Sequence, residues 1–144
     1  MIVDANLLIY AVNAQDSRHG RARDWLAETL NGPTRCGLPW ISLSAFLRIA
    51  TNPRAFDAAL AMEEAWTQVE EWLAAPAAWV PTPTTRHAEV LGRLLSAHRL
   101  DWQMVTDARI AALAIEHGVP IASSDGDFAR FTEIRWIDPL ADPP

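Results

Sequence analysis

The sequence has 144 residues, of which 50% are hydrophobic, and a formal net charge of −6 at pH 7. This length suits one domain with a substantial core, so we expect residues 1–144 to form a single domain. No apolar run is long enough to span a membrane, and the N-terminus lacks the basic segment of a secretory signal. With a single cysteine, Cys36, these features predict a cytoplasmic protein. The acidic balance argues against a broadly basic nucleic-acid-binding surface.

The chain begins with a predicted strand and helix that have an aspartate between them. Ile2 and Val3 start a short apolar strand, Asp4 follows it, and residues 6–12 read as an apolar helix. In parallel α/β sheets, ligands bind at the carboxyl ends of the strands. Asp4 is therefore a candidate functional residue.

The middle of the chain alternates helices with weak strands. We predict helices at about residues 19–30, 40–50, 58–74 and 86–98 and short strands at 35–38 and 78–80. The predicted helix caps are Asp16 or Ser17, Asp57, and Thr84 or Thr85.

The segment of residues 105–131 repeats the pattern of strand followed by acid. Its helix is nearly all apolar and should be buried, with Asp107 in the first turn, where the helix dipole stabilises a carboxylate. Gly118 should end that helix in a left-handed conformation. Residues 119–122 then predict a strand, and Asp125 lies at its end. A short helical turn and a last strand at 134–137 complete the pattern.

These alternating elements predict a three-layer α/β/α sandwich with a mainly parallel central sheet. Asp4, Asp107 and Asp125 then lie at equivalent junctions of strand and helix. Carboxylates that converge on one site repel each other unless a cation or proton intervenes. Mg²⁺ or Mn²⁺, which prefers carboxylate and water oxygens, is the simplest such cation.

Three segments together resemble a PIN-domain nuclease, and more narrowly the VapC toxins of bacterial toxin–antitoxin pairs. They are MIVDANLLIYAV (1–12), PWISLSAFLRIATNPRAF (39–56) and residues 105–131. The resemblance covers nearly the whole chain and implies a PIN-like fold. It also implies a Mg²⁺-dependent endoribonuclease, with Mn²⁺ as a substitute, that cleaves structured RNA such as tRNA or rRNA. A VapB-type antitoxin would insert a segment into the acidic groove.

The resemblance assigns catalysis and metal binding to Asp4, Asp107 and Asp125. It also brings further side chains near these acids, where they could orient a carboxylate or a water; these are Asn6, Thr106, Ser123, Asp127 and Arg48. Asp127 could instead cap the following turn, and Arg48 could either pair with an acid or remain exposed on its helix.

One departure from the family pattern leaves an alternative open. The family usually has a glutamate aligned near Ala45, or near Ile41 in some relatives, and this chain has no acid there. Glu63 or Glu64 could replace it only if their helix folds back over the site. A degenerate PIN domain that binds RNA or an antitoxin without cutting is therefore the main alternative. If the enzyme is active, we expect one well-occupied metal.

Two further expectations concern chemistry and assembly. A phosphatase with Asp4 as its nucleophile is disfavoured, because Asn6 occupies the position of the second acid that such enzymes usually need. The sequence contains seven tryptophans, which is more than a small core easily hides, and tryptophan is enriched at interfaces. We therefore expect a homodimer.

Overall fold

A parallel β-sheet forms the centre of the molecule in the computed structural model, which describes residues 1–98 and 100–142. Within these residues the sheet has five strands in the order β3-β2-β1-β4-β5. Their bounds are β1 Ile2–Val3, β2 Cys36–Gly37, β3 Ala78–Trp79, β4 Ile121–Ala122 and β5 Trp136–Ile137. All four neighbouring pairs are parallel, which confirms the predicted sheet.

The strand order reverses direction at β1, and this reversal determines where a ligand can bind. The chain runs outwards from β1 through β2 to β3, and it then crosses to β4 on the other side of β1. Such a switch point opens a crevice at the carboxyl ends of the two strands concerned. Asp4 follows β1 and Ser123 follows β4, so both lie at this crevice.

Helices cover both faces of the sheet. They are α1 Ala5–Val12, α2 His19–Asn31, α3 Trp40–Ala50, α4 Met62–Leu73, α5 His87–Ala97 and α6 Val105–His117. Successive strand residues point to opposite faces. Val3 accordingly packs in one buried cluster with side chains of α1 to α4, and Ile2 packs in a second cluster with α5 and α6. These two clusters make the predicted three-layer α/β/α sandwich.

Several predicted boundaries are correct, including both ends of α3 and the end of α6. Helix α6 is buried along most of its length and ends at Gly118, whose φ of 62° is left-handed as expected. Cys36 is fully buried in β2. None of the described helices is long and apolar enough to cross a membrane.

The predicted start of α4 was wrong. The helix begins at Met62 rather than near residue 58, and Asp57 does not cap it. Instead, the Glu64 carboxylate accepts a hydrogen bond of 2.8 Å from the Ala61 N–H. A carboxylate in the first turn thus reaches back to the helix entrance, so the cap position itself needs no cap-forming side chain.

The caps of α2 and α5 also differ from prediction, because Arg18 and Arg86 occupy the cap positions. Asp16 and Thr84 lie two residues before these cap positions, and their side-chain oxygens accept the N–H groups of Arg18 and Arg86 at 2.9 and 3.1 Å. Each residue closes a local turn through its side chain. In both places a turn closed by a side-chain hydrogen bond therefore comes directly before the helix.

Candidate metal centre

Asp4 lies at the carboxyl end of β1 and is the N-cap of α1. Its Oδ1 accepts a hydrogen bond of 2.7 Å from the Ala5 N–H. The positive end of the α1 dipole stabilises a negative charge at this position. Asp4 is therefore held at the crevice by the backbone of the helix that it begins.

Ser123 connects the two strand ends that form the crevice. Its fully buried hydroxyl donates a hydrogen bond of 2.7 Å to Asp4 Oδ2 and accepts bonds from Asn6 Nδ2 at 2.9 Å and from the Asp125 N–H at 3.0 Å. A hydroxyl offers one donor and two acceptor positions, so its hydrogen-bonding capacity is fully used. Ser123 and Asn6 therefore fix the orientation of Asp4 and of the backbone that leads to Asp125.

Replacing Ser123 with alanine should weaken divalent-metal binding by about 10- to 100-fold, the usual cost of losing a group that orients metal ligands. Isothermal titration with Mn²⁺ measures this loss. Ser124→Ala is the matched control, because the Ser124 hydroxyl donates to Asp138 at 2.7 Å, outside the acid cluster. Equal Mn²⁺ affinity in the two variants would contradict the orienting role of Ser123.

Three aspartates form a close acid cluster at the mouth of the crevice. One carboxylate oxygen from each of Asp107, Asp125 and Asp127 lies within 4.8 Å of the others. Two oxygens bound to the same Mg²⁺ at about 2.0–2.1 Å are at most about 4.2 Å apart. Small side-chain rotations would therefore let all three carboxylates bind one cation, and an all-oxygen donor set suits Mg²⁺ or Mn²⁺.

Local structure explains how the three carboxylates converge. Asp107 projects from the first turn of the buried helix α6. Asp125 caps a short 3₁₀ helix, Gly126–Arg130, and its Oδ1 accepts the Asp127 N–H at 2.9 Å. This turn folds Asp127 back beside Asp125. The sequence had left open that Asp127 caps this turn. In the structure Asp125 is the cap, and Asp127 belongs to the acid cluster.

Burial and nearby charges change the pKa values of Asp4 and Asp107. Burial, together with the negative charges of Asp4, Asp125 and Asp127, raises the pKa of Asp107 to about 6. Burial also raises the pKa of Asp4, partly opposed by the hydrogen bonds from Ser123 and Ala5. Burial and the nearby charges therefore disfavour the ionised forms of Asp4 and Asp107, and a bound cation would offset this cost.

The structure brings Asp107 and Asp125 together as predicted, but the close cluster contains Asp127 rather than Asp4. Asp4 lies near enough for its charge to raise the pKa of Asp107. Asn6 and Ser123 contact the acids directly. Thr106 instead lines a groove between α3 and α6 together with Arg48.

Arg48 is exposed and, within the described residues, forms no ion pair with a carboxylate. The second-motif positions Ile41 and Ala45 face the same groove. Glu63 and Glu64 are exposed on α4, and the metal-capable cluster found among the described residues does not include them. They do not replace the missing family glutamate in this conformation.

Comparison with known proteins places this chain in a family. The PIN domain family matches residues 1–134. Ribonuclease VapC37 of Mycobacterium tuberculosis is 46% identical over 140 residues, which cover 97% of each chain. Ribonuclease VapC33 of the same species is 42% identical, with 97% of this chain and 98% of that protein covered. The VapC ribonuclease Mb2897 of Mycobacterium bovis is 36% identical, with 97% and 95% covered.

Solved structures share the fold at lower sequence identity. FitAB bound to a DNA fragment matches with a TM-score of 0.70 and 16% identity, covering 99% of this chain and 97% of that one. VapBC-1 of nontypeable Haemophilus influenzae matches with a TM-score of 0.70 and 14% identity, covering 97% and 98%. VapC20 of Mycobacterium tuberculosis, a toxin that cleaves the sarcin-ricin loop, matches with a TM-score of 0.65 and 21% identity, covering 93% and 98%. With its carboxylates gathered at the switch point of such a sheet, the chain belongs to the PIN-domain family and, within it, to the VapC ribonucleases.

Proposed function

We propose that this protein is a metal-dependent endoribonuclease and the toxin of a VapBC toxin–antitoxin pair. One observation carries the proposal. The carboxylates of Asp107, Asp125 and Asp127 converge at the carboxyl ends of the central strands, in a chain 46% identical along nearly its whole length to a VapC ribonuclease. Such a toxin would act in the cytoplasm, where its RNA substrate is found.

All four aspartates would take part in binding Mg²⁺ or Mn²⁺. Asp107, Asp125 and Asp127 would supply ligand oxygens, and Asp4 would bind the ion directly or through a water. When bound, the ion activates a water and neutralises charge that develops on the phosphodiester. Ser123 and the Ala5 N–H keep the Asp4 carboxylate oriented, so the chain supplies a nearly preorganised set of acceptors.

The proposed substrate is structured RNA, such as a tRNA or an rRNA loop, and VapC20 cleaves a loop of this kind. The proposed inhibitor is a VapB-type antitoxin. Solved relatives include VapBC assemblies, and an arginine or lysine of such a partner could bridge the crowded carboxylates. That contact would compete with the metal for the same oxygens.

Removing the metal should abolish cleavage. We expect the purified protein to cut a panel of tRNAs and rRNA fragments with Mn²⁺ or Mg²⁺, to stop in excess chelator, and to recover when Mn²⁺ is restored. Calorimetry should give one Mn²⁺ per chain, bound more tightly than Mg²⁺. RNA that is bound but never cut with either ion would favour a degenerate PIN domain instead.

We also propose that the protein is a homodimer. Trp102 is 82% exposed and the neighbouring Val105 is 41% exposed, and an exposed apolar surface of this kind is typical of interfaces. Light scattering at micromolar concentration should give twice the monomer mass. A monomer mass under those conditions would contradict this assembly.

A further inference from the structure

We propose that the groove between α3 and α6 binds the RNA strand beside the cleavage site, with Arg48 and Arg109 on backbone phosphates and Trp40 stacked on a base. This inference rests on the proposed ribonuclease function. The groove has a volume of about 400 Å³ and is lined by Trp40, Ile41, Ser44, Ala45, Arg48, Thr106 and Arg109.

The position of the groove connects it to the acid cluster. Thr106, which lines the groove, is followed directly by Asp107, and consecutive α-carbons are about 3.8 Å apart. Thr106 and Arg109 are three residues apart in α6 and therefore share one face of the helix. A strand with a phosphate at the acid cluster would pass directly into the groove.

The charge of the groove is opposite to that of the protein. The chain has a net charge of −6, yet both charged residues lining the groove are arginines. Within the described residues, neither Arg48 nor Arg109 forms an ion pair with a carboxylate. Their planar guanidinium groups remain available for bidentate contacts with phosphate.

Trp40 adds an aromatic surface at the α3 side of the groove. Its side chain is 46% exposed, and its ring lies nearly parallel to that of Trp66 on α4, with centroids 6.3 Å apart and an interplanar angle of 10°. This pairing holds the Trp40 ring in place. Proteins that bind single-stranded nucleic acid combine such stacking surfaces with basic grooves.

The same charges argue against the antitoxin as occupant. The antitoxin proposed above presents basic side chains to the acids, and two arginines in the adjoining groove would repel such a segment. An anionic strand is attracted to both arginines. The groove therefore suits RNA better than a basic peptide.

The test measures RNA binding without cleavage. A fluorescein-labelled RNA hairpin is titrated with the full chain in chelator, and anisotropy gives the Kd at several salt concentrations. The Arg48→Gln, Arg109→Gln double variant should bind about 10-fold or more weakly, and its salt slope should fall by about 1 per arginine. Trp40→Ala should weaken binding by about 5- to 150-fold.

Arg93→Gln is the control for charge, because Arg93 pairs with Glu89 on α5 and does not line the groove. The groove variants should keep the Mn²⁺ affinity of the unaltered protein, and Arg48→Lys should recover part of the RNA affinity. Circular dichroism confirms that each variant is folded.

Three results would overturn the proposal. If the unaltered protein binds and cuts RNA but the groove variants bind as tightly as Arg93→Gln, the groove assignment fails and the ribonuclease function stands. If polyglutamate displaces the hairpin at equal charge concentration, the groove is a general anion surface. If the unaltered protein neither binds nor cuts RNA, both the groove assignment and the ribonuclease function fail.

Discussion

Asp107→Asn is expected to lower RNA cleavage by about 100-fold or more and, in the absence of metal, to raise the melting temperature. The loss of activity follows from the position of Asp107 in the acid cluster. Losing even a group that only supports a metal ligand costs about 10- to 100-fold, so losing a ligand should cost at least as much. Asp4→Asn should have the same effect on cleavage.

The gain in stability follows from the pKa of Asp107. In the folded protein, burial and the neighbouring acids raise this pKa from 3.8 to about 6. A raised folded pKa contributes stability below the unfolded pKa, and this contribution is lost as the pH rises through the folded value. At pH 7.5 the ionised carboxylate therefore opposes folding, and the neutral amide does not. Each 1 kcal/mol regained should raise the melting temperature by about 2–4 °C.

Thermal melts with chelator at pH 7.5 and pH 4, together with cleavage assays, test both effects. The advantage of Asp107→Asn should shrink at pH 4, where the carboxyl group of the unaltered protein is protonated. Added Mn²⁺ should stabilise the unaltered protein more than the variant. Asp24→Asn is the control, since Asp24 pairs with Arg23 at the surface. Cleavage by Asp107→Asn at the rate of this control would refute the assignment.

Glu116→Gln is expected to destabilise the fold by about 1.5–3 kcal/mol, the usual value of hydrogen bonds to a charged group. The Glu116 side chain is 0% exposed and bonds to His87 Nδ1 at 2.6 Å. Its other oxygen accepts the N–H and O–H of Thr84 at 2.8 and 2.6 Å. One carboxylate thus ties the end of α6 to the chain entering α5, and an amide cannot reproduce the charged contact with His87.

The destabilisation should depend on pH. Burial acts to raise the pKa of Glu116, but the hydrogen bonds from His87 and Thr84 outweigh it, so the pKa lies below its usual 4.5. A lowered folded pKa contributes stability above the unfolded value, and this stability is lost as the pH falls through the folded pKa. The difference between Glu116→Gln and the unaltered protein should therefore be full at pH 7 and shrink below about pH 4.5.

Urea unfolding at pH 7 and below about pH 4.5 measures this difference in the free energy of unfolding. Glu133→Gln is the matched control. Glu133 also pairs with a histidine, His98 at 2.9 Å, but its side chain is 39% exposed. An exposed pair contributes at most about 1 kcal/mol. If the two substitutions cost the same at pH 7, the Glu116 contact does not hold the two helices together.

Local sequence signals predicted the elements whose ends depend on nearby residues. The end of helix α6 could be predicted to the residue, because Gly118 is a local stop signal. The start of α4 could not, since it depends on a Glu64 side chain reaching back to Ala61. The strands after β1 were predicted one or two residues too long, because sheet pairing with neighbouring strands, which sequence patterns do not show, covers only two residues of each.

In the candidate site, too, some features follow from local sequence signals and others depend on how the chain folds. Asp125 could be predicted because parallel strands end at one edge of a sheet, and Asp107 because it lies in the first turn of a nearly all-apolar helix. The inclusion of Asp127 depends on how a 3₁₀ turn folds after its Asp125 cap. The groove with Arg48 and Arg109 depends on how α3 and α6 pack across the fold. No pattern within either helix specifies that packing.

The hydrogen bond between Ser123 and Asp4 joins residues 119 positions apart, and this separation has a consequence for synthesis of the protein. A chain still growing on the ribosome carries Asp4 early, but it lacks the groups that orient Asp4 until β4 and the residues after it have emerged. Contacts this far apart in sequence also close late in folding, because they require the largest loss of chain entropy. Each new copy of the proposed nuclease would therefore lack an oriented Asp4 until the residues after β4 have left the ribosome, and a fragment that ends before Ser123 would lack it altogether.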